Sequence, residues 1–170
     1  SHNRQLAEAA AKHAPEGSAV EIVEGLAELP FYNEDLDVEG SVPAAAVRLR
    51  ETAARADAFL LFSPEYNGTM PAVLKNAIDW LSRPYGAGAL SGKPVAVVGT
   101  AFGQYGGVWA QDDARKAAGV AGGAVLADVK LSIPGSVTRF AETHPADDAE
   151  VVASLTEVLR QVAEAAPAAA

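Results

Sequence analysis

Two short segments of this chain concentrate the residue types that can hold an anionic or planar ligand. The first, residues 63–71, reads SPEYNGTMP, and the second, residues 99–107, reads GTAFGQYGG. The second has four glycines within nine residues, which lets the backbone approach a ligand closely. It is not a G-x-x-x-x-G-K-[ST] nucleotide loop, because it lacks the lysine and the hydroxyl that follows it. These segments predict ligand binding through main-chain N–H groups, amides and hydroxyls.

Side-chain chemistry of other kinds is not indicated. The chain has no cysteine, which excludes disulfides, thiolate nucleophiles and cysteine-based metal sites. The histidines at positions 2, 13 and 144 lack the spacing of metal ligands, so surface histidines are the favoured interpretation. The sequence therefore predicts no metal site.

Length and charge restrict the class of protein. The 170 residues predict a single domain over 1–164, followed by a flexible tail over 165–170 (AAPAAA). With 22 acidic and 13 basic residues the net charge is −9, which argues against nucleic acid as a partner. No apolar segment is long enough to span a bilayer, and nothing resembles a signal peptide, so we expect no membrane association and a cytoplasmic location.

Strands and helices must position the two segments. Ala58–Phe62 is a short apolar run that predicts a strand buried on both faces, and Pro94–Val98 predicts another. Pro71 opens a helix that continues to Leu81, because proline is favourable at the start of a helix. A further helix over Val108–Ala118 follows the glycine-rich loop. Both loops then lie at the carboxyl ends of strands, where open α/β sheets place their ligands.

The remaining pattern alternates strand and helix. Ala19–Val23 predicts a strand near one edge of the sheet, and Ala124–Leu131 predicts the strand at the other edge. Helices are predicted over 43–56 and in the C-terminal region, where Asp147 or Asp148 caps the last helix. This order requires a parallel sheet with helices on both faces.

The N-terminal residues allow two interpretations. Ser1 and Asn3 precede or begin a helix and are good N-cap types. They can also form a phosphate site with the free N–H groups of the helix N-terminus. From these residues alone, capping is favoured.

The segment 63–71, followed by LKNAIDWL at 74–81, resembles the signature of the NADPH-dependent FMN reductase family. Ser1–Leu6 resembles the end of that family's phosphate loop, and residues 99–107 resemble its second flavin loop. The resemblance covers nearly the whole chain. It implies a flavodoxin-like α/β fold, a doubly wound parallel five-stranded sheet of order 2-1-3-4-5.

One departure from the family pattern concerns the N-terminus. The first strand of the family and the front of its phosphate loop would precede Ser1, so the resemblance leads us to expect a longer protein. That strand is central in the order 2-1-3-4-5, and its absence would leave two strands without a neighbour. With the family in view, the phosphate interpretation of Ser1 and Asn3 rises above capping alone.

The resemblance implies an NAD(P)H-dependent oxidoreductase that contains FMN. Hydride would pass from NADPH or NADH to flavin N5 and then to a small-molecule electron acceptor such as a quinone or a flavin. That step would require no side-chain acid, base or nucleophile, so no catalytic residue is assigned. The FMN phosphate would lie at the N-terminal phosphate loop, near Ser1 and Asn3. The flavin ring would lie against residues 64–68, with its pyrimidine end near residues 100–107. The residues so assigned to cofactor binding are Ser1, Asn3, Pro64, Glu65, Tyr66, Asn67, Gly68, Thr100, Gly103, Tyr105 and Gly106.

Several alternatives stay open at this point. Tyr66 and Tyr105 fit either stacking near substrate or ordinary packing, and Glu65 is either solvated or paired across a subunit interface. The family resemblance also implies a homodimer or homotetramer, with Trp80 either at that interface or in the core. A flavodoxin-type electron carrier is the alternative function, and a scaffold without flavin is a weaker third.

Overall fold

The computed structural model describes residues 1–167 as a three-layered α/β structure. In chain order its helices and strands are α1 (His2–Lys12), α2 (Ala44–Arg55), β1 (Phe59–Phe62), α3 (Ala72–Leu81), β2 (Pro94–Thr100), α4 (Val108–Val120), β3 (Ala124–Ile133), α5 (Ser136–Arg139) and α6 (Ala149–Ala165). Short 3₁₀ turns lie at Leu26–Glu28, Glu34–Leu36 and Pro145–Asp147. None of the helices described is long and apolar enough to cross a membrane.

The sheet has three parallel strands in the order β1-β2-β3. This confirms the parallel α/β architecture. Of the five strands predicted in the order 2-1-3-4-5, the described residues contain only the last three, which are β1, β2 and β3. Every residue of β2 is buried, as its apolar run predicts, because β2 is the central strand. The strand β3 lies at one edge, as predicted from its half-alternating sequence.

The prediction that Ala58–Phe62 is buried on both faces is wrong. The four residues of β1 are only half-buried. Among the described residues β1 is hydrogen-bonded on one side alone, to β2, through pairs such as Phe59 with Val95. A strand at the edge of a sheet lacks one neighbour, so its side chains are less fully covered.

The predicted strand over Ala19–Val23 is also wrong. Residues 18–25 have no regular secondary structure, although Val20 and Ile22 give the segment its alternating pattern. A β-strand is held by the hydrogen bonds of a neighbouring strand, and within residues 1–167 this segment pairs with none. Alternation alone therefore does not produce a strand here.

Helices cover both faces of the sheet, and β2 shows the division. Its Val95 and Val97 pack in the core formed with α2, α3 and α4. Its Ala96 and Val98 point to the other face, where Val158 of α6 belongs to the same cluster. The helix α1 joins that second face through contacts with α6. The alternation of neighbouring side chains along a strand explains this arrangement.

The C-terminal helix begins at a defined cap. The Asp148 carboxylate accepts a hydrogen bond from the Val151 N–H at 3.2 Å, so Asp148 rather than Asp147 is the N-cap. The helix continues to Ala165, which is the first residue of the predicted tail. Residues 168–170 of that tail lie outside the described part of the chain.

The long acidic loop before α2, residues 25–41, is attached to α3. The Asn76 side chain accepts a hydrogen bond from the Tyr32 N–H at 2.9 Å and donates to the Pro30 carbonyl at 3.0 Å. The Trp80 indole N–H also donates to the Pro30 carbonyl, at 2.8 Å, and Trp80 is completely buried. Trp80 is thus a core residue, and the alternative that it anchors a subunit interface is wrong.

A largely buried ion pair strengthens this attachment. The Arg50 guanidinium donates two hydrogen bonds to Asp37, at 2.7 and 2.8 Å, and a third to the Trp80 carbonyl at 3.0 Å. These hydrogen bonds from Arg50 hold the pKa of the Asp37 carboxyl below its ordinary value. The Tyr32 hydroxyl also donates to Asp37, so the pair, the loop and α3 form one connected cluster.

We predict that replacing Asp37 with Asn lowers the free energy of unfolding by about 2 kcal/mol at pH 7, because it removes charged hydrogen bonds and leaves Arg50 unpaired. Since the pKa of Asp37 is lower in the folded state than the ordinary 3.8, its contribution is present above about pH 5 and is lost as the pH falls through that folded-state pKa. Urea unfolding of both proteins at pH 7 and pH 3 should show the difference shrinking in acid.

The matched control is Glu28→Gln in the same loop. Glu28 pairs with Arg48 at 3.1 Å, but both side chains are more than half exposed. We expect this substitution to change the free energy of unfolding by less than about 0.5 kcal/mol. Equal losses for the two variants would contradict the importance of the Asp37 pair.

Candidate functional site

The two loops singled out in the sequence lie side by side at the carboxyl ends of β1 and β2. The Ser63 N–H donates to the Val98 carbonyl at 3.0 Å, which continues the pairing of the strands into the first loop. Gly99 then lies directly against the first loop, since a Cβ there would be 2.2 Å from the Ser63 carbonyl oxygen. Only glycine allows this approach.

The first loop contains a two-residue hairpin turn. Tyr66 and Thr69 exchange main-chain hydrogen bonds of 3.0 and 3.2 Å. Between them, Asn67 and Gly68 both have positive φ, 54° and 79°. This combination is that of the type I′ turn that Asn-Gly favours, so the local sequence explains the shape of the loop.

The glycine-rich loop lies on the end of β3. The Ala101 N–H donates to the Ile133 carbonyl at 3.2 Å, and the Ser136 N–H donates to the Ala101 carbonyl at 3.1 Å. Gly106 has a positive φ of 63°, and a Cβ on it would be 2.7 Å from the backbone of Ser132. The loop is therefore held against the sheet by main-chain contacts.

The start of α4 joins the two loops. Glu65 of the first loop accepts a hydrogen bond from the Ala110 N–H at 3.1 Å. Thr69 donates its hydroxyl to Asp113 at 2.6 Å. The residue before α4 is Gly107, which has no side chain to cap the helix, so Glu65 supplies the missing acceptor from another segment. Glu65 thus has a role that neither sequence alternative described.

The N-terminus of α1 reaches the same region through Asn3. Its side chain is buried and exchanges two hydrogen bonds with the main chain of Thr100, at 2.9 and 3.0 Å. The Ser1 hydroxyl accepts a hydrogen bond from the Arg4 N–H at 3.4 Å, which is the geometry of an N-cap. Phosphate binding by Ser1 and Asn3 stays a prediction.

Main-chain donors of both loops are left unpaired, and most of them belong to exposed or half-buried residues, although Gly107 is buried. Within residues 1–167, several N–H groups have no acceptor in the protein: those of Glu65, Asn67 and Gly68 in the first loop and of Gly103, Tyr105 and Gly107 in the second. Other groups are paired internally. The Gly106 N–H donates to the Gly103 carbonyl at 3.2 Å, and the Thr100 hydroxyl donates to the Ile133 carbonyl at 2.7 Å.

Exposed aromatic side chains surround these donors. Tyr66 and Tyr105 are 61% and 65% exposed, so neither is an ordinary packing residue. Phe102 and Trp109 are 76% and 61% exposed, and they were not predicted as site residues. The sequence could have indicated them, because Phe102 lies in the glycine-rich loop and Trp109 follows it closely. Flat apolar surfaces are thus available next to the free N–H groups.

Two buried polar residues of α4 also escaped the sequence-based prediction. Gln111 is fully buried, and its amide donates to the Gly106 carbonyl at 3.0 Å. Arg115 is 8% exposed and donates to the Val97 carbonyl of β2 at 2.8 Å. Their spacing of four residues on one face of the helix is the only sequence signal.

Charged side chains contribute little at the loops. Arg4 in the first turn of α1 is already paired with Glu24, at 2.6 and 2.8 Å, and with Glu8 at 3.0 Å. The hydrogen bonds from Arg4 lower the pKa values of both carboxyl groups. Among the described residues, no group of three or more His, Asp or Glu could hold a metal ion. The site consists mainly of backbone donors and aromatic rings.

Comparison with known proteins identifies the class to which this fold and site belong. Residues 1–138 match the NADPH-dependent FMN reductase family. The chain belongs to this family, which confirms the resemblance seen in the sequence.

Individual relatives agree with this assignment. A quinone reductase of Pseudomonas putida is 47% identical over 116 residues, which is 68% of this chain and 61% of the relative. An NAD(P)H-dependent FMN reductase of Pseudomonas aeruginosa is 41% identical over 116 residues, with the same coverage. The chain spans about three fifths of the length of these curated relatives.

Solved structures show the same flavodoxin-like fold. The flavoenzyme NAD(P)H:(acceptor) oxidoreductase FerB of Paracoccus denitrificans superimposes with a TM-score of 0.78 at 27% identity, covering 98% of this chain and 92% of that one. The azoreductase AzrA superimposes with a TM-score of 0.58 at 20% identity, covering 96% of this chain and 92% of that one, and supports the fold alone.

The close approach at Gly99 gives a test of the loop arrangement. We predict that Gly99→Ala lowers the free energy of unfolding by about 3 kcal/mol, because its Cβ would overlap the Ser63 carbonyl oxygen. The control is Gly103→Ala, where a Cβ would meet nothing within 4 Å, and we expect a change within about 0.5 kcal/mol. Urea unfolding measures both, and similar stabilities for the two variants would show that the loops are not in contact.

Proposed function

We propose that this protein is an NAD(P)H-dependent oxidoreductase that uses FMN to pass hydride to a small-molecule acceptor such as a quinone or a flavin. The observation that carries the proposal is the pair of adjacent loops with unpaired main-chain N–H groups, bordered by exposed aromatic rings. Family membership and the relatives named as quinone and FMN reductases support the same activity.

The residues present fit an FMN molecule. Gly103 is exposed and Gly68 is half-buried, and both lack side chains, so a ring can approach the main chain there. Uncharged N–H donors can hold the cofactor even though the protein surface is acidic. Bound FMN supplies the hydride chemistry, which the side chains here do not provide. The protein binds and orients the cofactor and keeps one surface open to small molecules.

The roles of the site residues follow from their contacts. Glu65, Asn67 and Gly68 offer N–H and amide groups for the flat ring, whereas Gly103 and Tyr105 offer N–H groups at its other side. N–H donors at that position favour a form of the cofactor that carries negative charge. Pro64 has no N–H and its carbonyl accepts from the Ser63 hydroxyl, so it would contact the ring only through its apolar side chain.

Three residues assigned to the cofactor act differently in this proposal. Thr100 and Gly106 have their polar groups paired within the protein, so they support the loops rather than donate to FMN. Asn3 does the same through Thr100, although its position at the start of α1 still suits a phosphate. Ser1 is exposed and free to contact that phosphate as well as cap the helix.

The proposal predicts that the protein reconstituted with FMN loses its oxidised flavin absorbance within seconds of anaerobic NADPH or NADH addition. A quinone added next should restore the absorbance, and steady-state rates with both nicotinamides would identify the preferred donor. An electron carrier of flavodoxin type would keep its oxidised spectrum with NADPH and change only with a reduced redox partner. A protein that takes up no FMN would be a scaffold, and either result would contradict the proposal.

We further propose a homodimer, or a homotetramer of two such dimers, formed through the outer faces of α3 and α4. A groove of about 610 Å³ lies between these helices and contains Tyr85 and Val120, which are 89% and 82% exposed. The groove also carries both signs of charge, including Asp113 and Lys116, and within residues 1–167 Lys116 has no ion pair. A patch with both signs can pair with its own copy across a two-fold axis.

The dimer predicts a change of mass in sedimentation. Val120→Asp should weaken self-association at least about tenfold, because it places a charge in the centre of an apolar contact. Val137→Asp is the control, since Val137 is 55% exposed but lies in α5, away from the groove. A monomeric wild type, or equal effects of the two substitutions, would contradict this interface.

A further inference from the structure

Gln111 of α4 connects the glycine-rich loop to β3. It is completely buried. Its amide nitrogen donates to the Gly106 carbonyl at 3.0 Å, and its amide oxygen accepts from the Ser132 hydroxyl at 2.7 Å. The Gly106 bond fixes which end of the amide faces the loop, because a carbonyl only accepts and only the NH₂ group of the amide can donate to it.

The peptide that Gln111 holds joins two glycines. Gly106 and Gly107 both have positive φ, 63° and 86°. A glycine pair has the widest backbone freedom, so no side chain of its own restricts the rotation of this peptide. The Gly106 carbonyl therefore depends on the Gln111 amide for its orientation.

The orientation of that carbonyl decides what the loop presents. In a trans peptide the carbonyl and the following N–H point in opposite directions. While the Gly106 carbonyl is bonded to Gln111, the Gly107 N–H points away from the buried amide. Gly107 is buried, and within residues 1–167 its N–H has no acceptor, so a bound ligand is what would satisfy it. A Cβ on Gly107 would lie 3.4 Å from Ala101, 3.6 Å from the Gln111 amide nitrogen and 3.7 Å from Glu65 of the other loop.

We propose that Gln111 is a positioning residue that holds the Gly106–Gly107 peptide with its N–H available to FMN. This inference rests on the proposed function and deepens it. Without Gln111 the peptide can rotate and present a carbonyl oxygen in place of the N–H. An N–H favours negative charge on the bound group and a carbonyl oxygen disfavours it. The effect therefore falls mainly on reduced FMN, which carries that charge.

A purely structural role for Gln111 predicts something different. A loosened loop would weaken oxidised and reduced FMN alike and would leave the midpoint potential unchanged. The ratio of the two dissociation constants separates the two roles, because it cancels any general loss of binding. The measurement must therefore report both redox forms of FMN.

The test replaces Gln111 with Met, which has similar length but cannot donate a hydrogen bond. Ser132→Ala is the matched control, since it removes the other bond of Gln111 and leaves the bond to Gly106. Fluorescence titration gives the affinity for oxidised FMN, and dye equilibration gives the midpoint potential. Thermal unfolding of each apoprotein shows whether the variant is folded.

For Gln111→Met we expect oxidised FMN to bind within about threefold of wild type, while reduced FMN binds roughly tenfold more weakly relative to oxidised FMN. A tenfold change in that ratio lowers the two-electron potential by about 30 mV. For Ser132→Ala we expect no change in the ratio beyond about twofold, which is about 9 mV on the same scale.

An unchanged potential in folded Gln111→Met would overturn the inference even if binding were weaker. Should that variant fail to fold, Gln111→Leu replaces it, because Leu also lacks the donor and adds no charge to the loop. If neither variant folds, Gln111 is a structural residue and the inference is wrong. A wild-type protein that binds no FMN would instead refute the proposed function itself.

Discussion

The first turn of α4 is the contact on which the two loops depend. This helix begins after Gly107, a residue without a capping side chain, and its Ala110 N–H is satisfied by Glu65 from the other loop. One residue further on, Gln111 binds the Gly106 carbonyl. The two loops come from strands that are neighbours in space, but it is this helix turn that gives them one fixed relation.

The need to hold the two loops in place explains why few polar side chains of the site are free to act on a ligand. The charged and amide groups close to the loops are used to hold backbone: Asn3 binds Thr100, Glu65 binds α4, and Arg115 binds β2. The groups left free are main-chain N–H donors and exposed aromatic rings. Such a surface offers the donors and the flat apolar faces that the proposed function requires of a cofactor site.

Much of the fold was predictable because the inner strands and helices have strong local patterns. The continuous apolar run of β2, the proline before α3 and the Asp148 cap of α6 all appear where the sequence indicates them. The wrong predictions concern strands at the edge of the sheet. Residues 19–23 alternate as a strand does but have no partner among the described residues, and β1 is apolar yet half-buried because it is an edge strand. Pairing is a property of two segments and cannot be read from one.

The sequence by itself determined the parallel α/β class, the positions of the two loops and the turn at Asn67–Gly68, because these follow from periodicity, glycine and turn chemistry over a few residues. Only the tertiary structure decided what Glu65, Asn3 and Gln111 do. Glu65 and Asn3 bond to backbone that is distant in the sequence, 45 and 97 residues away. For Gln111 the Gly106 bond is local, but its burial and its bond to Ser132 arise only when α4 packs on β3.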